Sequence, residues 1–141
     1  MKKIIISIIV IFIIIGIIFT LFKLNNKDEN IKNAEIVIGN SEIYSKEEIK
    51  NAIDIVLVKF KNFPATLNKI YYDEEKSQKE SNNLAEQYNA NEVIVLYSNF
   101  KTYSGTKAIN DGFNPNSEYT NWAWILTRSN YGEWQLITWG Y

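Results

Sequence analysis

The sequence predicts an α+β fold: one domain with helices on one face of a largely antiparallel sheet, set behind an N-terminal transmembrane helix. Three observations carry this reading. Residues 4–22 form an apolar run without a charge. Residues 45–63 join a helix-capping box to an apolar stripe at helical spacing. Residues 119–141 hold all four tryptophans in two strand-like runs. Helices followed by a succession of strands point to α+β.

Taken in order, residues 4–22 are long enough to span the hydrocarbon layer, about 28 Å at roughly 1.5 Å per residue. Lys2, Lys3 and Lys23 flank the run, which ends Phe19-Thr20-Leu21-Phe22-Lys23 without the small residues of a cleavage site. The expectation is an uncleaved anchor over residues 1–23, single-pass in the cytoplasmic membrane. Flanking charge is nearly balanced. A lone leading anchor before a folded domain acts as an export signal, so the C-terminal domain is expected outside. Residues 24–40 are mostly polar and read as a stalk, with a brief edge strand near residues 34–38 stopped by Gly39. Residues 41–141 are expected to form the extracytoplasmic domain.

Within that domain Ser45-Lys46-Glu47-Glu48 is a capping box, and Ile49, Ile53, Val56, Leu57 and Phe60 follow at helical spacing. Phe63 before Pro64 ends the helix, because proline pushes its predecessor out of the α region. Residues 66–73 read as a strand. Ser77-Gln78-Lys79-Glu80 is a second box, expected to open a shorter helix that closes at residues 89–91. Residues 92–103 read as a long strand, with Ile94, Leu96 and Phe100 on one face and Val93, Val95 and Tyr97 on the other. Residues 105–117 carry turn signals and read as a loop. Residues 119–128 and 133–139 then form a hairpin around Ser129-Asn130-Tyr131-Gly132. Period two places Thr120, Trp122, Trp124, Leu126 and Arg128 on one face, and Trp134, Leu136 and Thr138 on one face with Trp139 opposite.

Composition bounds the chemistry. The chain has no histidine and no cysteine. This excludes imidazole-based triads, thiol nucleophiles, disulfides, zinc sites built on those residues, and a lipidated cysteine. Four of the 15 Lys+Arg precede residue 28, leaving 11 against all 16 Asp+Glu in the remainder. That acidic balance is a poor match to nucleic acid, which asks for basic patches. The sequence implies no cofactor and no metal site.

Residues 39–141 resemble small uncharacterised domains found behind membrane or lipoprotein anchors in Gram-positive bacteria. The residues that carry the likeness are Ile38-Gly39-Asn40-Ser41, the helix over residues 45–63, Phe63-Pro64-Ala65-Thr66-Leu67, Tyr71-Tyr72-Asp73, Asn121-Trp122-Ala123-Trp124 and Trp139-Gly140-Tyr141. Their order is similar to the nuclear transport factor two-like (cystatin-like) cone. The resemblance implies a curved sheet wrapped on a long helix around a pocket, and it transfers no catalytic residue.

Arg128 is the sole arginine and lies in line with Trp122 and Trp124. A guanidinium at the rim of an aromatic surface can grip a carboxylate or phosphate by paired hydrogen bonds. Stacking on a tryptophan at a strand end is the plainer expectation. Arg128, Trp122, Trp124 and Tyr97 are the candidate ligand-binding residues, with Tyr71 and Tyr72 as further hydroxyls. Asp73-Glu74-Glu75 reads as a solvated acidic turn favoured by the following helix dipole, and Asp54 is expected at the surface. No carboxylate falls on a strongly apolar strand face. The expected function is therefore a non-catalytic module for a small ligand or a cell-envelope protein. The alternative is a small pocket enzyme using carboxylate and tyrosine as acid and base.

Overall fold

The computed structural model describes residues 28–141. The apolar run at residues 4–22 and its proposed anchor lie outside them. Among the described residues no helix is long and apolar enough to cross a membrane.

The described chain is α+β, with five strands and three helices. Strand β1 (Glu35–Val37) pairs parallel with β2 (Ala65–Tyr72). The remaining strands, β3 (Glu92–Thr102), β4 (Glu118–Arg128) and β5 (Gln135–Gly140), follow as antiparallel neighbours in sequence order. Helix α1 (Lys46–Phe60) precedes β2 and helix α2 (Glu74–Tyr88) follows it. A short helix, α3 (Thr106–Asn110), occupies the stretch expected to be a loop. Its five residues are too few for a periodic pattern to register.

Helix α1 starts as its capping box predicts: the Ser45 hydroxyl accepts from Glu48 N, and Glu48 Oε2 accepts from Ser45 N at 2.8 Å. Ile49, Ala52, Ile53, Val56 and Phe60 are buried against Leu67, Ile70, Ile94, Leu96, Phe100 and Trp124. Helix α2 begins earlier than its S-x-x-E box suggests. Asp73 is the N-cap and accepts from Lys76 N at 3.1 Å, so the acidic turn at residues 73–75 is the helix start. Ser77 sits inside the helix, fully buried, and accepts from Val95 N at 3.0 Å. Val95 lies just past the last β2–β3 pair, Tyr72 with Leu96, so the serine satisfies a strand donor where β2 has run out.

The two helices do not share a face. Leu84 and Ala85 of α2 pack with Val93, Val95 and Tyr97, the side of β3 opposite the α1 core. The expectation of helices on one face is corrected accordingly. Period two had already separated the two sides of β3, and α2 covers the second.

Three bulges alter the faces read from strict alternation. In β4, Tyr119 pairs with Phe100 and Trp122 with Ser98, so two residues of β4 oppose Asn99. Asn121 takes a left-handed φ of 56° there, its N–H donating to Asn99 Oδ1 and its own Oδ1 accepting from Tyr71. Tyr119, not Thr120, therefore joins Trp122, their rings 5.5 Å apart. In β5, Ile137 is the extra residue between Leu136 and Thr138, which pair with Leu126 and Ile125. Trp139 thereby swings to the α1 side, 5.9 Å from Trp124, rather than opposite Leu136. All four tryptophans pack on that side. The third bulge, at Asn68 in β2, keeps both Leu67 and Ile70 in the core.

The segment read as a stalk is partly built into the domain. Asn30 is buried, its side chain donating to the carbonyls of Phe60 and Phe63 at the end of α1, and its own carbonyl accepting from Leu67 N. Asp28 pairs with Lys61 at 2.7 Å. A polar side chain that satisfies the last carbonyls of a helix reads in sequence as linker, because its partners lie thirty residues away.

Candidate functional site

Beside the N-terminal half of α1 lies a half-open cleft of about 680 Å³. Glu48, Asn51 and Ile55 stand along the flank of the helix, three and four residues apart, while the apolar stripe turns inward. The other wall is the β4–β5 turn, with Tyr131, Glu133 and Trp134. Asn130 and Tyr131 both take left-handed φ, 52° and 58°, and Gly132 N donates to Ser129 O at 2.9 Å. This is the hairpin turn that Asn-Gly favours, but the second left-handed position holds tyrosine and the glycine comes one residue later. A Cβ at Gly132 would lie 2.9 Å from Ser129 O, which keeps glycine there. Left-handed backbone costs tyrosine of order 1 kcal/mol, and it leaves the ring 86% exposed over the cleft.

Arg128 forms the floor. Its Nε donates to Glu92 Oε2 at 2.7 Å, and its Nη2 donates to Glu92 Oε1 at 3.0 Å and to Glu48 Oε1 at 2.6 Å. Its guanidinium also stacks 4.3 Å from the Trp134 ring. The side chain is only 6% exposed. Glu92 above all, then Glu48, hold it ionised well beyond its usual range. Glu48 is pushed below the ordinary carboxylate range, first by the Ser45 backbone N–H and then by Arg128. Tyr44, buried beneath Trp134 at 5.5 Å, is pushed up to about 12 by burial and then by Glu92. Around neutral pH Arg128 and Glu48 are thereby held as ions and Tyr44 as the neutral phenol.

The four residues singled out from the sequence do not meet in one place. Arg128, Trp124 and Trp122 share the α1 side of β4 as expected. Trp124 is fully buried between them, its Nε1 donating to Ser98 Oγ at 2.8 Å. Trp122 lies six residues from Arg128, about 20 Å along the strand, in an aromatic cluster that runs from buried Phe100 through Phe113 and Tyr119 to exposed Tyr141. Tyr97 points to the α2 side, where its hydroxyl donates to Glu80 at 3.2 Å and burial raises its pKa. Tyr71 is on that side too, whereas Tyr72 belongs to the α1 core.

Reading from the sequence missed Glu48, Trp134 and Tyr131 as cleft residues, and Glu92 as the carboxylate that holds Arg128 in place. Glu92 and Arg128 are direct cross-strand partners, and the strand register that pairs them carries no local mark. Glu48 was legible as a capping residue, which hid the second bond its other oxygen makes. Asp54 is exposed, as its helix face predicts, and it lines the cleft while pairing with Lys50 at 2.6 Å. Among the described residues no cluster of acids could hold a metal ion. Comparison with known proteins finds no matching family, no matching curated protein and no matching solved structure.

Proposed function

We propose that this chain is a membrane-held, non-catalytic binding module, with residues 4–22 crossing the bilayer and the domain outside, and that its cleft takes a ligand bearing a positive charge. The observation that carries the ligand reading is the engagement of Arg128 by Glu48 and Glu92. With the cation so occupied, the cleft offers Glu133, the exposed Tyr131 ring and Asp54, whose pair with Lys50 is solvent-exposed and weak enough to exchange. Carboxylates beside an open aromatic face attract an amine or guanidinium through charge and cation–π contact. A basic side chain of an envelope protein or a small organic amine has that chemistry.

The membrane reading is supported by the 19 uncharged residues at 4–22 and by the missing cleavage site. The likeness to the nuclear transport factor two-like cone belongs to the same proposal. It is supported by the long helix α1 laid on one side of a mostly antiparallel sheet, with the cleft at its N-terminal half.

The test is titration of the full chain in detergent with a lysine- and arginine-rich peptide. Glu133→Gln and Asp54→Asn are expected to weaken binding at low salt, with the difference shrinking as salt rises. Tyr131→Asn, better suited to a left-handed position, is expected to stabilise the fold by up to about 1 kcal/mol while also weakening binding. Peptide affinity unchanged in all three variants overturns the site. Turnover of any substrate that Glu48→Gln abolishes overturns the binding reading itself.

A further inference from the structure

We infer that the end of the domain formed by the C-terminus of α1, by α3 and by the junction of β2 with β3 is seated on the lipid headgroups of the bilayer. This rests on the reading of residues 4–22 as the anchor.

The length of chain between that run and the folded domain sets the geometry. Asp28 and Asn30 are fastened to the end of α1 through Lys61 and the carbonyls of Phe60 and Phe63. Five residues, 23–27, remain before them. Fully extended they reach at most about 18 Å, and a headgroup layer takes up roughly 5–7 Å of that. The α1 terminus is thus confined to within about a helix diameter of the surface.

What this end presents suits that position. Tyr103 N donates to Pro64 O, which fixes Tyr103 beside the α1 terminus, and its side chain is 39% exposed. Phe113, following α3, packs on Phe63 and brings the short helix alongside, with Ile109 exposed. Lys59, Lys61, Lys101 and Lys107 belong to this end together with Asp28, Glu29, Asp111 and Glu118; Asp28 holds Lys61, and Lys101 lies across from Glu118. Tyrosine, isoleucine and lysine together match the chemistry of a bilayer interface, where rings and apolar side chains sit among headgroups and ammonium groups meet phosphate.

The opposite end argues the same way. Glu47, Glu48, Glu92 and Glu133 gather around the start of α1 and the β4–β5 turn, about 22 Å away at the helical rise. Arg128 offsets one of these charges, and the excess of acid that remains is repelled by an anionic surface. The cation-seeking cleft accordingly opens away from the membrane.

The chain has no cysteine, so single reporters are easily placed. The full chain is reconstituted into vesicles of phosphatidylcholine and phosphatidylglycerol, with a fluorophore on Ile109→Cys, Tyr103→Cys or Glu47→Cys. Lipids carrying a nitroxide at the headgroup serve as quencher. The labels at 109 and 103 are expected to lose most of their emission and the label at 47 to keep it. If protein stays in the vesicles through an alkaline carbonate wash and the three labels behave alike, the seating is overturned and the anchor stands. If the wash strips the protein off, the anchor reading fails and the seating with it.

Discussion

Glu48 divides one carboxylate between two duties: Oε2 closes the capping box of α1, and Oε1 receives Arg128 from β4. The helix start is thereby tied to the far strand through a guanidinium that also grips Glu92. Arg128→Ala would leave two carboxylates facing each other with no cation between them. It is expected to destabilise the domain by about 3 kcal/mol in urea denaturation, the lower part of the range for a broken buried pair because both acids keep some contact with water. Arg128→Lys should recover little, since an ammonium cannot reproduce the fork. A loss below about 1 kcal/mol would show that the pairs are open in solution. The pH dependence has a definite sign. Glu48 is depressed in the folded state, so its contribution is complete above the ordinary carboxylate range and disappears as pH falls through its lowered value. Melting temperature should fall on acidification, and less steeply in Glu48→Gln. From the sequence Arg128 was legible as a special residue in line with Trp122 and Trp124. Its partners were not, because they arrive from a helix eighty residues earlier and from a strand register.

At the scale of elements, helix α1 was readable from local signals, its cap, its stripe and its proline stop, although it ends at Phe60, three residues before Phe63, and Leu57 is only partly buried. Phe60 is fully buried among Phe63, Phe100 and Trp124. Phe60→Ala is expected to cost about 3–5 kcal/mol by chemical denaturation, and a small effect would mean that α1 does not pack on the sheet as described. The start of α2 was misplaced because two capping patterns lie four residues apart and only tertiary contact chooses between them. Asp73 takes the cap, and burial claims Ser77 for Val95. The strand faces were right wherever pairing is regular and wrong past the bulges of β4 and β5. An inserted residue reverses every side chain after it, and only Asn121, tolerant of left-handed backbone, hints at where one falls.

For the whole molecule, an α+β domain was legible from element order, but the two-sided cover of the sheet required knowing where α2 lands. Topology across the membrane is checked with single cysteines at exposed Glu47 and Glu86, both away from the end proposed to meet the headgroups. Both should react with an impermeant thiol reagent in intact cells, and labelling only after lysis would reverse the proposed orientation. One feature of the sheet also sets how the molecule would bear tension. Its first described strand, β1, is three residues long, sits at the edge, and is the first met from the N-terminal side. A pull along the chain from that side meets Asn30 and this short ladder before it meets α1. The ladder is expected to peel first, paying out residues 28–38 as up to roughly 35 Å of slack while the aromatic core stays closed. In a single-molecule force trace this is a short early step, and with the proposed anchor in a bilayer it would be a reach the domain gains only under load.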